Sequence, residues 1–355
     1  MLRPRAYITI KSELTGKEIE FDFLNEFTTS ESFEHLTDLA TVTLPRKISQ
    51  SGLPLFTGSN PIFKRKDKIK IEAGYFPNRE TIFEGFITHV SANVPVQLEC
   101  EDYMFVMKTF TITYPKQETP KVISKKGKPI VNQKNVEENI KLSQLISNIW
   151  NAGEYRDLLD GITYELVDDI SLGQFRVNNA TPAKIFDKLR SDYGLYTYFV
   201  GKKLYIGFAN NAISTVEKEY KMEDVCINSN ELDYQRAEDV EIKVVCIGMM
   251  PNNSKVEEEV GDVDGEQRTY HFYNISDKTQ LEKVANEKLK QNKYTGFTGV
   301  FETFGQPLLH HGDRLKMTST KLPERNGVYL IKSVKRSFSV SGGYRQVFEL
   351  GFKIE

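Results

Sequence analysis

The chain has 355 residues, 39% hydrophobic and 27% charged, enough apolar side chains for more than one buried core. A formal net charge of −2 gives no overall basic field of the kind that draws proteins to nucleic acid. No stretch approaches the roughly 20 apolar residues of a membrane span. Met1–Ile10 lacks the apolar run of a signal peptide, so folding in a cytoplasm is expected, with any later export as part of a released assembly.

Residues 1–110 read as strands and turns. Ala6–Lys11 alternates polar and apolar side chains, and Ile19–Phe23 follows a turn at Gly16. Ala40–Leu44, Lys68–Ala73, Ile82–Val90 and Val96–Cys100 continue the period of two, with Ser49–Asn60 expected as a loop. The abundance of Phe (22) and Tyr (17) favours strands. A first antiparallel β-barrel over 1–110 is the expectation.

Residues 111–224 change character. Lys116–Asn135 is rich in Lys, Pro and Gln and reads as a linker or a hairpin turning at Lys125–Lys128. Leu142, Leu145, Ile146 and Ile149 recur at helix spacing beside Trp150. A second helix is better marked, with Thr181 as N-cap, Pro182 in the first position, a stripe of Ile185, Phe186, Leu189 and Tyr193, and Gly194 to close it. Strands Leu195–Val200 and Leu204–Phe208 follow, making a small α/β insert.

Residues 225–355 return to strands and are expected to form a second barrel with one inserted helix. Val240–Gly248, Arg268–Tyr273, Thr298–Phe304, Arg314–Thr318, Val328–Arg336 and Arg345–Phe352 are the strands. Asn252–Glu266 reads as an exposed acidic loop. Asp277 and Gln280 suit a capping box for a helix buried through Leu281, Val284, Ala285 and Leu289. The fold class is therefore α+β and mainly β.

The end of the chain echoes the end of the first strand-rich region. Asp67 and Asp313 each lead a strand, and a proline-containing connection follows (Pro77–Arg79, Pro323–Arg325). Ile82–Val90, with Gly85 and Val90, matches Val328–Val334, which follows Gly327. Gln97 and Gln346 open the closing strands, and the offsets between the Asp, Val and Gln markers run from 244 to 249 residues, a drift that loop insertions would cause. These markers predict three strands in the same order twice over, a duplication rather than a repeat array.

Several segments carry a resemblance: Gly312-Asp313 before a strand, Asn326–Val334, the terminal Gly342–Gly351, Lys68–Gly85, and Asn179–Pro182 ahead of Leu204–Gly207. In this order they resemble the baseplate hub proteins of phage tails and contractile injection systems, the late control protein D group and Mu-like tail proteins. The resemblance implies two similar barrels per subunit and a homotrimer of pseudo-sixfold symmetry that joins the tail tube or tape-measure protein to the spike protein. It implies a place in a virion tail or baseplate, assembled in the bacterial cytoplasm.

Motifs for chemistry are few. Cys100, Cys226 and Cys246 are far apart and odd in number, against a disulfide framework or a cysteine zinc site; Cys100 and Cys246 suit buried thiols. His35, His89, His271, His310 and His311 show no ligand spacing, and His310-His311 reads as a polar turn before a strand. Asp168-Asp169 and Glu257–Glu259 read as solvated loop acids, unlike a carboxyl held in an apolar pocket for acid catalysis. The basic run Phe63–Lys68 reads as a loop and strand edge rather than a nucleic-acid contact. No catalytic residue, cofactor or metal is assigned, and no sequence-specific nucleic-acid partner. A tail-tip cell-wall hydrolase, a host-surface binding module and the hub of a secretion-type machine are the alternatives.

Overall fold

The structure is a computed structural model. It describes residues 3–354 apart from positions 23, 51–52, 57–62, 92–93, 115–122, 126–127, 131–139, 168, 174, 209–215, 251–253, 274 and 276. The fold is mainly β, as the periodicity predicts. Twelve strands carry the main sheet: β1 (Pro4–Lys11), β2 (Glu26–Ser32), β3 (Leu39–Leu44), β4 (Lys68–Tyr75), β5 (Glu80–Val90), β6 (Val96–Glu101), β7 (Glu217–Lys221), β8 (Cys226–Gln235), β9 (Gly296–Phe304), β10 (Arg314–Thr318), β11 (Gly327–Ser339) and β12 (Gly343–Lys353). Glu18–Phe21 adds a short edge strand beside β1.

These strands fall into two sets of six with one spatial order. The first runs β2-β3-β6-β5-β4-β1 and the second β8-β9-β12-β11-β10-β7, each strand matching the one six places later. The sets differ at one edge: β1 pairs with β4 antiparallel, whereas β7 pairs with β10 in parallel. Alternation buries one face of each set. Ala6, Ile8 and Ile10 of β1 join Ile69, Ile71, Leu98 and Cys100 in the first core. Phe348 and Leu350 of β12 join Phe301, Leu315, Tyr329 and Val334 in the second.

Neither set closes into the barrel expected of it. The outer edge of β2, which closure would need, is hydrogen-bonded to the other set instead: Glu26–Ser32 pairs with Ser333–Ser339 of β11. The first half of β11 pairs with β10 on that same side, so the sheet forks midway along one 13-residue strand. Backbone groups at the edge are satisfied between the sets rather than within one.

The insert between β6 and β7 contributes helices Leu142–Trp150 and Pro182–Tyr193. The second begins and ends as its sequence dictates: the Thr181 side chain accepts a bond from the Lys184 amide, and Gly194 closes it at φ 70°. Strand Tyr196–Val200 pairs with Lys203–Gly207. Between β8 and β9, strand Ile242–Met249 lies between Lys255–Gly261 and Glu266–Tyr273, covered by helix Lys278–Asn292. Val244, Cys246, Phe272 and Leu281 of this segment share a core with Ile146, Phe186, Leu189 and Ile206 of the preceding insert.

Two local expectations are corrected, and one that left two alternatives is decided. Lys255–Gly261 is a strand within the expected acidic loop; its alternating half-burial and its pairing with Ile242–Met249 outweigh the charge of Glu257–Glu259. Lys47–Gln50 and Leu53–Phe56 pair as a hairpin where a loop is expected, and positions 57–60 lie outside the described residues. Of the linker and the hairpin expected within Lys116–Asn135, the structure has a hairpin: Ile123–Lys125 pairs with Lys128–Ile130, and positions 126–127 lie outside the described residues.

Candidate functional site

Charge is concentrated, buried, where the two sets and the insert meet. Glu31 on β2 is 3% exposed and Arg336 on β11 is fully buried. They form an ion pair, and Arg336 also donates to the Leu309 carbonyl. The other Glu31 oxygen lies 2.8 Å from His310 Nδ1. Burial alone would raise the Glu31 carboxyl; Arg336 and His310 outweigh it and hold the pKa at about 2.

A second layer lies beside this pair. His311 Nε2 faces the Phe199 carbonyl of the insert at 3.2 Å and the Asp38 carboxylate at 3.4 Å. The carbonyl can only accept, which places the ring proton on Nε2. Burial lowers the His311 pKa to about 3, so the ring is neutral. Asp38 accepts the Ser32 amide at 3.0 Å, and the Asp102 amide donates to the Asp38 carbonyl. Burial pushes Asp102 up to about 7, against the pull of the Met104 amide at 3.0 Å. Asp38 is raised by burial and then by the charges of Asp102 and Glu31. Tyr198 of the insert packs on the His311 ring at 4.6 Å between centroids.

Atoms of Glu31, Asp38 and His311 lie within 4.8 Å of one another, close enough to share a metal ion. Arg336 and His310 already occupy Glu31, so a cation there would face the guanidinium. The cluster balances its charge from its own side chains, and its carboxylates face neighbouring strands rather than solvent. Its chemistry is that of a fastener among three parts of the chain.

His310 and His311 form the polar turn before a strand that is expected of them, but the turn is buried rather than solvated at His311, which is 1% exposed. Glu31, Asp38, Asp102 and Arg336 escape sequence reasoning altogether. Glu31 lies in Glu26–Ser32, a polar run whose burial comes from strands far away in sequence. Asp313, which shares the turn with the histidines, was legible.

Asp67 and Asp313 occupy the same place in matching turns. Each accepts the amide three residues back, from Lys64 and His310, at 2.8 Å. Each donates its own amide to that residue's carbonyl at 3.2 Å. The preceding residue has φ 80° in both, Lys66 and Gly312, and bonds to Ile87 or Ile331 at 2.8 Å. The Ile87 and Ile331 amides return bonds of 2.9 Å to the two Asp carbonyls.

Beyond these isoleucines both ladders slip, between Ile87 and His89 and between Ile331 and Ser333. Val90 then faces Leu98, and Val334 faces Phe348. Gln97 and Gln346 do not correspond. Register sets Cys100 and Leu350 opposite the two isoleucines, so the counterpart of Gln346 is Val96. Gln97 is exposed, while Gln346 is buried and donates to Tyr220 at 3.0 Å and the Pro307 carbonyl at 2.9 Å. Gly85 faces Ile69 within β5, whereas Gly327 opens β11 opposite Met317.

In the basic run, Phe63 is buried against Phe21, and Lys64, Arg65 and Lys66 are exposed. Asp169 binds the Ser143 amide and hydroxyl at 2.9 Å at the start of a helix; Asp168 lies outside the described residues. Cys100 and Cys246 are buried free thiols, and burial pushes Cys246 up to about 12.

The fold is shared with solved phage tail proteins. The tail protein of Neisseria meningitidis MC58 superposes with a TM-score of 0.61 at 11% identity, over 98% of this chain and 96% of that one. The 43 kDa tail protein of prophage MuSo2 from Shewanella oneidensis gives 0.59 at 12% identity, over 98% of both chains. The E. coli c3393 protein, described as a component of the type VI secretion system with structural similarity to T4 tail proteins gp27 and gp5, gives 0.55 at 10% identity over 93% of this chain and 73% of that one. No family model and no curated protein matches the sequence.

Proposed function

We propose that this chain is the structural hub subunit of a phage or prophage tail baseplate, acting as a homotrimer that joins the tail tube or tape-measure protein to the spike protein. One observation carries the reading: a single chain holds two six-stranded sets of one spatial order. Three such chains supply six quasi-equivalent units around a channel, which suits a sixfold tube on one side and a threefold spike on the other. The matching Asp67 and Asp313 turns support an internal duplication, with an added body whose shared core comes from the insert between β6 and β7 and the segment between β8 and β9. The role is structural rather than enzymatic, located in a virion tail and assembled in the bacterial cytoplasm.

Native mass measurement at micromolar concentration tests this. A species of three times the 40.8 kDa chain mass, ring-shaped by negative-stain microscopy, is expected. A monomer that stays single even with its cognate spike would overturn it. The likeness to the E. coli secretion component favours a second reading, the hub of a secretion-type machine; genes for a sheath and an ATPase beside this one, without capsid genes, would select it. A peptidoglycan zymogram is expected to show no clearing.

A further inference from the structure

Inside one chain the two sets meet edge to edge, and each strand of that contact has a counterpart elsewhere in the same chain. Within the chain, the outer edge of β2 is taken by the second half of β11, with Ser32 opposite Ser333 and Glu31 opposite Val334. The counterpart of β2 in the second set is β8. No strand among the described residues pairs with the outer edge of β8, and it carries Ile227 and Tyr234, 42% and 45% exposed. The counterpart of β11 is β5, whose pairing with β4 stops at Phe86, leaving His89 exposed beyond it. A ten-residue edge strand with half-exposed apolar side chains is an open template for another chain.

The register fixes the match. Thr29 and Leu232 correspond, because they lie opposite Ala40 and Gly299, which lie opposite Cys100 and Leu350. Glu31 and Ser32 therefore correspond to Tyr234 and Gln235. Ser333 and Val334 correspond to His89 and Val90.

We propose that copies of this chain join by antiparallel pairing of β8 of one copy with the end of β5 of the next, His89 opposite Gln235 and Val90 opposite Tyr234. This rests on the trimeric reading above. Tyr234 stands where Glu31 stands inside the chain, so the seam between copies is aromatic where the internal one is ionic. Three repeats of the contact cover the Tyr234–Gln235 end of each β8 edge and close the ring.

Opposed residues on neighbouring antiparallel strands hold their Cβ atoms about 4.5–5.5 Å apart, near enough for a disulfide to form with slight adjustment. Val90→Cys with Tyr234→Cys, in a Cys226→Ser background, is oxidised and run on a non-reducing gel. Covalent dimer and trimer that collapse on reduction are expected. A protein of trimer mass and unchanged circular dichroism that does not cross-link overturns this seam and leaves the trimer standing. A protein of monomer mass with no cross-link removes both. Independently, Tyr234→Lys should raise the concentration for half-assembly about tenfold or more, since a charge on an edge strand opposes pairing; unchanged assembly overturns the seam.

Discussion

Arg336 of β11 reaches diagonally across the junction between the two sets to Glu31 of β2, and both ends of the pair are buried. The strands are paired along seven positions, Ser333–Ser339 against Glu26–Ser32, and Phe27 stacks on Phe338 with ring centroids 5.9 Å apart. Removing one partner would strand a charge away from water. Arg336→Met is expected to cost about 3–5 kcal/mol. Combining it with Glu31→Leu should recover most of that loss, because no buried charge is left unpaired. Urea unfolding of the two variants checks this; equal losses would show that packing, not charge, holds the junction.

The same cluster sets a pH dependence of two opposite signs. The folded pKa of Glu31, about 2, lies below its ordinary 4.5, so its contribution is fully present above about 4.5 and is lost as pH falls toward 2. Asp102 is the reverse: its folded value, about 7, lies above 3.8, so its contribution is full below 3.8 and is lost as pH rises through 7. Asp38, also raised by burial, adds to that loss, whereas His311, held at about 3 against its ordinary 6.5, contributes stability that grows as pH rises to 6.5; two carboxyls against one imidazole leave a net decline from pH 4.5 to 7. Asp102→Asn retains an acceptor for the Met104 amide and should flatten that decline, measured as the urea midpoint at several pH values. An unaltered slope would place the titration elsewhere.

The paired turns offer a matched test. Asp67 accepts two amides, from Lys64 at 2.8 Å and Glu13 at 3.0 Å. Each bond to a charged acceptor is worth about 1.5–3 kcal/mol. Asp67→Ala and Asp313→Ala should both destabilise by at least about 1.5 kcal/mol. Asn at either position should cost less, since its side-chain oxygen still accepts. Thermal unfolding of the four variants decides; an Asn variant as damaged as its Ala counterpart would rule out the hydrogen bond as the cause.

Gly85 is required by close approach. A Cβ there would lie 2.1 Å from the Glu101 carbonyl oxygen on β6, and backbone cannot swing aside as a side chain can. Gly85→Ala is expected to destabilise at the upper end of about 1–3 kcal/mol or beyond. Faster amide exchange should be confined to β5 and β6. A variant as stable as the parent would mean that the two strands separate at no cost.

Sequence alone determined the features that rest on near neighbours. Alternation marked β1, β4, β10 and β12 to within a few residues, because burial on one face of a strand repeats every second position. Thr181, Pro182 and Gly194 marked a helix, because capping acts over one turn. The Asp67 and Asp313 turns were legible because their bonds close over three residues. Tertiary structure decided what depends on distant partners. Glu26–Ser32 is a strand because β11, some 300 residues away, satisfies its outer edge. The same pairing took the edge that a barrel would have closed. Glu31, Asp38, Asp102 and His311 became one cluster only when three remote segments met, and no local pattern encodes that meeting.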